Sequence, residues 1–166
     1  TEYNLYNDGL KIHVTLDSRM QEYAEEAMRE HMSNLQSIFF DVEENRKHAP
    51  FHFKSAEDYK NQIPRILNQA KKRSERYKKM KANGASDSEI DKAFDTPVEM
   101  TVFSWNGDLD TVMTPMDSIR YYKYFYQVGL MSVEPQTGFI KAWVGGINYK
   151  YFKYDHVKQG KRQVGS

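Results

Sequence analysis

The run Val98-Glu99-Met100-Thr101-Val102-Phe103-Ser104-Trp105-Asn106-Gly107-Asp108-Leu109-Asp110-Thr111-Val112-Met113 decides the fold class. Val, Thr, Phe and Trp suit a pleated, half-buried surface. Asn-Gly between two such runs is a strong short-range hairpin signal, because a tight two-residue turn wants φ > 0 at both positions. The expectation is two antiparallel strands turning at Asn106-Gly107. Just downstream, Thr114-Pro115-Met116-Asp117 predicts a helix start, with Thr as cap, Pro at the first helical position and Asp in the first turn. That helix is expected to run to about Tyr126 and is rich in aromatics: Tyr121, Tyr122, Tyr124, Phe125 and Tyr126. Residues 129–133 and 139–144 predict a second hairpin around Glu134-Pro135-Gln136-Thr137-Gly138, where Pro fits the first turn corner and Gly the left-handed position. Gly145-Gly146 then ends the strand, and the remainder to Ser166 reads as a basic, aromatic loop.

Upstream, helical spacing takes over. Leu10, Ile12, Val14 and Leu16 alternate with polar residues, which predicts a strand over residues 9–16. Ser18-x-x-Gln21 has capping-box spacing. Met20, Tyr23, Ala24, Ala27, Met28, Leu35, Ile38 and Phe39 then follow at a 3.6-residue period, a helix over about 19–39. Ser55-x-x-Asp58 starts another helix whose stripe is Tyr59, Ile63, Ile66, Leu67, Ala70, Tyr77 and Met80, with Pro64 expected to kink or restart it. Asn83-Gly84 is a stop signal, and Ser86-x-x-Glu89 opens a short helix through about Phe94. Helices first and strands later, without βαβ alternation, give an α+β fold. The expected sheet joins residues 10–16 to the 98–113 hairpin and packs on the helix from Arg19.

Composition bounds the chemistry. The 166 residues suffice for a real core, and the chain holds no cysteine, so disulfides, thiol nucleophiles and cysteine-ligated metals are excluded. With 24 basic and 23 acidic residues, the net charge of +1 argues against a general polyanion or nucleic-acid binder. No apolar run is long enough to span a bilayer, and the first residues read as neither a signal peptide nor a natural start, so the chain is expected to be an internal fragment.

Few residues suggest catalysis by themselves. Lys71, Lys72, Arg73, Arg76, Lys78, Lys79 and Lys81 form a basic run that suits phosphate or an anionic surface, but with no groove-reading motif beside it a solvated helix face is the better explanation. His48 and His52 are four apart, yet Pro50 lies between them, so no metal site is expected. The aromatic helix suits a carbohydrate or lipid platform, or simply core and rim. A terminal Gly165-Ser166 carries no base of its own.

Three segments in order carry a resemblance. Residues 9–21 resemble the strand-to-helix segment that follows the glycosyltransferase domain of class A penicillin-binding proteins. Glu134-Pro135-Gln136-Thr137-Gly138-Phe139-Ile140-Lys141-Ala142-Trp143-Val144-Gly145-Gly146 resembles the first transpeptidase hairpin of that family, D-P-x-T-G-x-I-x-A-x-V-G-G. Lys161-Arg162-Gln163-Val164-Gly165-Ser166 resembles R-Q-P-G-S-x-F-K-P, with Val164 in place of the commoner Pro and Glu134 in place of the usual Asp. Residues 55–113 resemble the region linking the two enzymes.

The resemblance implies a bifunctional peptidoglycan synthase as parent. Residues 1–127 would be the interdomain linker region, and residues 128–166 the hairpin and basic segment that open the transpeptidase domain. Ser166 would be the acyl-accepting nucleophile in the parent, acting on stem peptides and acylated by β-lactams. Its lysine partner, and the S-x-N and K-T-G motifs that follow the serine in that family, are not in these 166 residues, so the isolated chain is expected to be inactive. The resemblance further implies no cofactor, an extracytoplasmic location through the parent's membrane anchor, and cell-wall synthesis regulators as candidate partners. The alternative is a non-catalytic linker module that positions the two active sites or docks a regulatory partner through the basic and aromatic helices.

Overall fold

The computed structural model describes residues 4 and 6–161. The elements run α1 (Ser18–Glu43), α2 (Ala56–Arg73), α3 (Glu75–Ala82), α4 (Asp87–Asp95), β1 (Val98–Ser104), β2 (Gly107–Met113), α5 (Pro115–Tyr122), β3 (Leu130–Val133) and β4 (Ile140–Val144). This is the expected mixture of helices and small antiparallel sheets. The chain divides into two compact units. One comprises residues up to His31 and from Gln127 onward; the other is Met32–Tyr126.

In the Met32–Tyr126 unit, helix ends follow local chemistry. Ser55 accepts from the Asp58 N–H at 3.1 Å and caps α2. The helix passes through Pro64 and is not restarted there; the restart falls at Ser74, which ends α2 and caps α3 by accepting from the Tyr77 N–H at 3.3 Å. A serine hydroxyl able to serve two helix ends decides the break more strongly than one missing proline donor. At the end of α3, the Ala85 N–H reaches the Met80 carbonyl and the Gly84 N–H reaches that of Lys81, both at 3.0 Å. This paired closure requires the left-handed backbone that Gly84 adopts at φ 80°. Ser86 and Glu89 form the expected capping box on α4.

The β1–β2 hairpin forms, but its turn is shifted. Ser104 pairs with Gly107, so Trp105 and Asn106 are the turn residues. Positive φ is confined to Gly107, at 112°. The Ser104 hydroxyl accepts from the Asn106 N–H at 3.2 Å and donates to the Gly107 carbonyl at 2.7 Å, which closes the turn without a left-handed Asn. Thr114 caps α5 as expected, but the helix stops at Tyr122. Tyr124, Phe125 and Tyr126 leave it because Gln36 captures the main chain there. Its amide donates to the Tyr124 carbonyl and its carbonyl accepts from the Tyr126 N–H, both at 2.9 Å. α5 packs on α2 and α4, and Met32, Leu67, Ile90, Phe94, Val102, Phe103 and Phe125 form the core.

In the other unit, β3 and β4 pair around the expected turn. Gly138 stands at φ 72°, and the Glu134 N–H donates to the Phe139 carbonyl at 2.9 Å. Residues 10–16 do not join β1 and β2 as a third strand. They run extended outside any ladder, with Ile12 and Val14 about two-thirds exposed. Their end lies along β4 instead: the Thr15 hydroxyl donates to the Ile140 carbonyl at 2.8 Å, and the Asp17 N–H to that of Lys141 at 2.9 Å. Alternation alone indicates an extended chain; it does not select a pairing partner. Ala142, Val144, Ile147 and Met28 are buried here.

The stripe of α1 also differs from the periodicity reading. Met28 in one unit, and Met32, Gln36 and Glu43 in the other, are its buried positions, whereas Tyr23, Leu35 and Ile38 are exposed.

Candidate functional site

The site grows from the end of β4. Gln21, expected to complete a capping box with Ser18, instead reaches across to this strand. Its amide donates to the Trp143 carbonyl at 2.9 Å, and its carbonyl accepts from the Trp143 N–H at 2.7 Å. The capping role falls to Asp17, whose Oδ1 accepts from the Arg19 and Met20 N–H groups at 3.0 and 3.3 Å. Those amides, Met20 first, hold the Asp17 carboxyl below its ordinary pKa. Together Asp17 and Gln21 cover the free edge of β4, which would otherwise offer unpaired donors and acceptors.

Beyond β4, Gly145 and Gly146 carry the chain past Asp155. The indole N–H of Trp143 donates to Asp155 Oδ2 at 3.0 Å, while Oδ1 accepts from the Val157 and Lys158 N–H groups, each at 2.9 Å. The Lys158 amide leads these donors in holding the Asp155 carboxyl below its ordinary range, against a smaller opposing effect of burial. A side chain at position 145 would place its Cβ 2.9 Å from Asp155 Cγ, so only glycine fits without displacing the carboxylate. The His156 N–H donates to the Gly145 carbonyl at 2.7 Å, fixing the loop from the other side. Glu25, Met28, Arg29, Trp143, residues 144–149, Phe152, Lys153, Tyr154 and Asp155 enclose a cavity of about 450 Å³. That is within the size range of small-ligand sites.

The other candidates are placed as follows. Ser166 lies outside the described residues. In the basic run, Lys71 is a buried residue: its Nζ meets Asp91 Oδ1 at 2.5 Å and stands 4.8 Å from the Phe94 ring centre. Lys78 pairs with Glu75 and Lys81 with Asp87, each at 2.7 Å, while Lys72, Arg73, Arg76 and Lys79 are exposed. The aromatic segment is core and rim. The Tyr121 hydroxyl donates to the Phe103 carbonyl at 2.7 Å, and the rings of Phe103 and Phe125 meet edge to face at 5.2 Å. Burial raises the Tyr121 phenol above its ordinary pKa. His52 Nε2 stands 3.1 Å from Glu43 Oε1, and His48 stacks on Tyr59. Among the described residues, no three metal-ligating side chains converge.

Residues 46–126 match the family model of the penicillin-binding protein middle domain. This stretch is a penicillin-binding protein middle domain. The matched residues lie within the Met32–Tyr126 unit and end where it ends. No curated protein and no solved structure matches the chain. No described helix of the chain is long and apolar enough to cross a membrane. Residue reading missed Asp155 and Arg29 as members of the site. Asp155 had a local signal, since an Asp two and three residues ahead of free amides is a turn-forming acceptor. Arg29 had none, because the residues it faces across the cavity are more than a hundred positions away.

Proposed function

We propose that this chain is the segment of a class A penicillin-binding protein that joins the glycosyltransferase to the transpeptidase. Residues 1–127 are the interdomain linker region, and residues 128–166 open the transpeptidase domain. The parent polymerises lipid-linked disaccharide and cross-links stem peptides on the extracytoplasmic side of the membrane. The observation that carries this reading is the middle-domain match over residues 46–126, followed at once by the hairpin whose Gly145 packs against Asp155. Ser166 is the residue that attacks the penultimate D-Ala carbonyl. The C–N bond to the terminal D-Ala breaks, D-Ala leaves as the amine, and the serine ester is resolved by an amine of a second stem peptide. The isolated chain performs none of this. A lysine beside the serine and an oxyanion hole are needed, and neither is supplied by these residues. The test is glycan synthesis by the parent carrying Ser166→Ala. The reading expects polymer without cross-links; cross-links at the parental level overturn it.

A second reading, a linker that docks a regulatory partner, is favoured by one observation: Lys72, Arg73, Arg76 and Lys79 stay exposed, whereas Lys71 is turned inward. Reversing Lys72, Arg73 and Arg76 to Glu would abolish partner binding under this reading and leave it unchanged otherwise.

A further inference from the structure

The β1–β2 hairpin has two outer edges, and they are finished differently. On the β1 side, the Phe103 N–H donates to the Tyr122 hydroxyl at 3.3 Å, and the Phe103 carbonyl accepts from the Tyr121 hydroxyl at 2.7 Å. Phe103 therefore turns its main-chain groups away from β2. Its register partner is Asp108, and directions alternate along an antiparallel pair, so Asp108, Asp110 and Val112 turn theirs away from β1. Among the described residues, no hydrogen bond from outside the hairpin reaches the Asp110 or Val112 main chain. Leu109 is 47% and Val112 65% exposed. An edge of this kind is a template for another strand.

The same edge is acidic. Glu99, Asp110 and Val112 share one face of the hairpin and line an open groove of about 460 Å³. The Thr101 hydroxyl donates to Asp110 Oδ1 at 2.6 Å, but it is a neutral donor, and no cation pairs with Asp110 or Glu99 among the described residues. A second copy of β2 would bring its own Asp108 and Asp110 to this edge, and like charges oppose that pairing.

We infer that the outer edge of β2 docks an extended segment of a partner protein that carries basic residues at alternate positions, added as a third strand. Side chains two apart on the incoming strand fall on the Asp110 face. The basic residue opposite Asp110 pairs with its carboxylate. The one opposite Val112 lays its stem on that exposed side chain and carries its charge toward Glu99. This surface is separate from the basic face of α2 and α3, and the inference does not depend on Ser166 being a nucleophile.

The test titrates N-acetyl-Thr-Lys-Val-Lys-Thr-amide into the isotope-labelled 166-residue chain while the Asp110 and Val112 amide resonances are followed by NMR. The expected result is a saturable shift of both. The counterpart with Glu in place of both lysines binds at least about tenfold more weakly, as does the lysine peptide to the chain carrying Glu99→Gln and Asp110→Asn together. N-methylation of the lysine amides, which face β2 in the paired strand, abolishes binding, whereas N-methylation of the valine amide, which faces away, leaves it unchanged. Absence of a saturable shift, equal binding of the lysine and glutamate peptides, or indifference to lysine N-methylation each overturns the inference. Shifts of the same two amides on raising the concentration of the chain alone would make a second copy the occupant and overturn it as well.

Discussion

Gln36 and Tyr126, ninety positions apart, are joined by a 2.9 Å hydrogen bond from the Tyr126 main-chain N–H to the Gln36 side-chain carbonyl. The other end of the same fully buried amide accepts nothing and donates to the Tyr124 carbonyl. One side chain thereby satisfies two main-chain groups just where α5 has ended, and sets Phe125 between them into the core. Burial of a polar side chain is tolerable only when its donors and acceptors are met in this way.

Replacing Gln36 with Leu keeps the volume roughly and removes both bonds. Two main-chain groups then lose their partners, at a cost of about 2–4 kcal/mol in total. Urea denaturation is the check, and a loss below about 0.5 kcal/mol would refute the role assigned to this residue.

Gly145→Ala pushes a methyl group against a carboxylate that three donors hold in place. A free side chain would swing aside; Asp155 cannot do so without losing the Trp143 indole bond. Overpacking of this kind costs about 1–3 kcal/mol. The Trp143 indole N–H resonance should move upfield as its acceptor leaves, and an unmoved resonance would show that Asp155 yields freely.

Asp155 also sets a pH dependence. Its pKa in the folded chain is lowered, chiefly by the Lys158 amide, from the ordinary carboxylate value. The stabilisation it brings is fully present above the unfolded value of about 3.9 and is lost as pH falls through the lower folded value. The Val157 and Lys158 amide resonances should titrate with a midpoint below the ordinary carboxylate range. A midpoint at or above that range would contradict the bonding described.

Adjacent lysines should behave differently. Lys71→Ala removes a buried stem, the ion pair with Asp91 and the contact with the Phe94 ring, a loss of about 1–2 kcal/mol. Lys72→Ala, on the exposed face, should stay within about 0.5 kcal/mol of the parent. Chemical denaturation of the two variants separates the positions, and equal losses would argue that the run is a single solvated face after all.

These cases mark what a sequence discloses. Ser55, Ser86 and Thr114 cap helices because the bond each makes closes within three residues, and Gly84 and Gly138 end or turn the chain for equally local reasons. Residues 10–16 looked like a strand because alternation is local, but the sheet they would join is decided by distant partners, and they lie along β4 outside any ladder. Gln21 looked like a capping residue until Trp143 offered it a strand edge. Tyr124 to Tyr126 continued a helical pattern that a buried amide on α1 interrupts. The candidate site divides the same way. The hairpin turn over residues 134–138 was legible, whereas the cavity, which needs Arg29 from α1 and Asp155 from the loop, was not.

The most direct measurement of the account's central claim is the site of penicillin attachment in the parent protein that carries this sequence. Labelled penicillin should acylate it stoichiometrically, proteolysis should place the label on Ser166, and Ser166→Ala should abolish labelling. Label on another residue, or labelling undiminished in Ser166→Ala, would contradict the assignment.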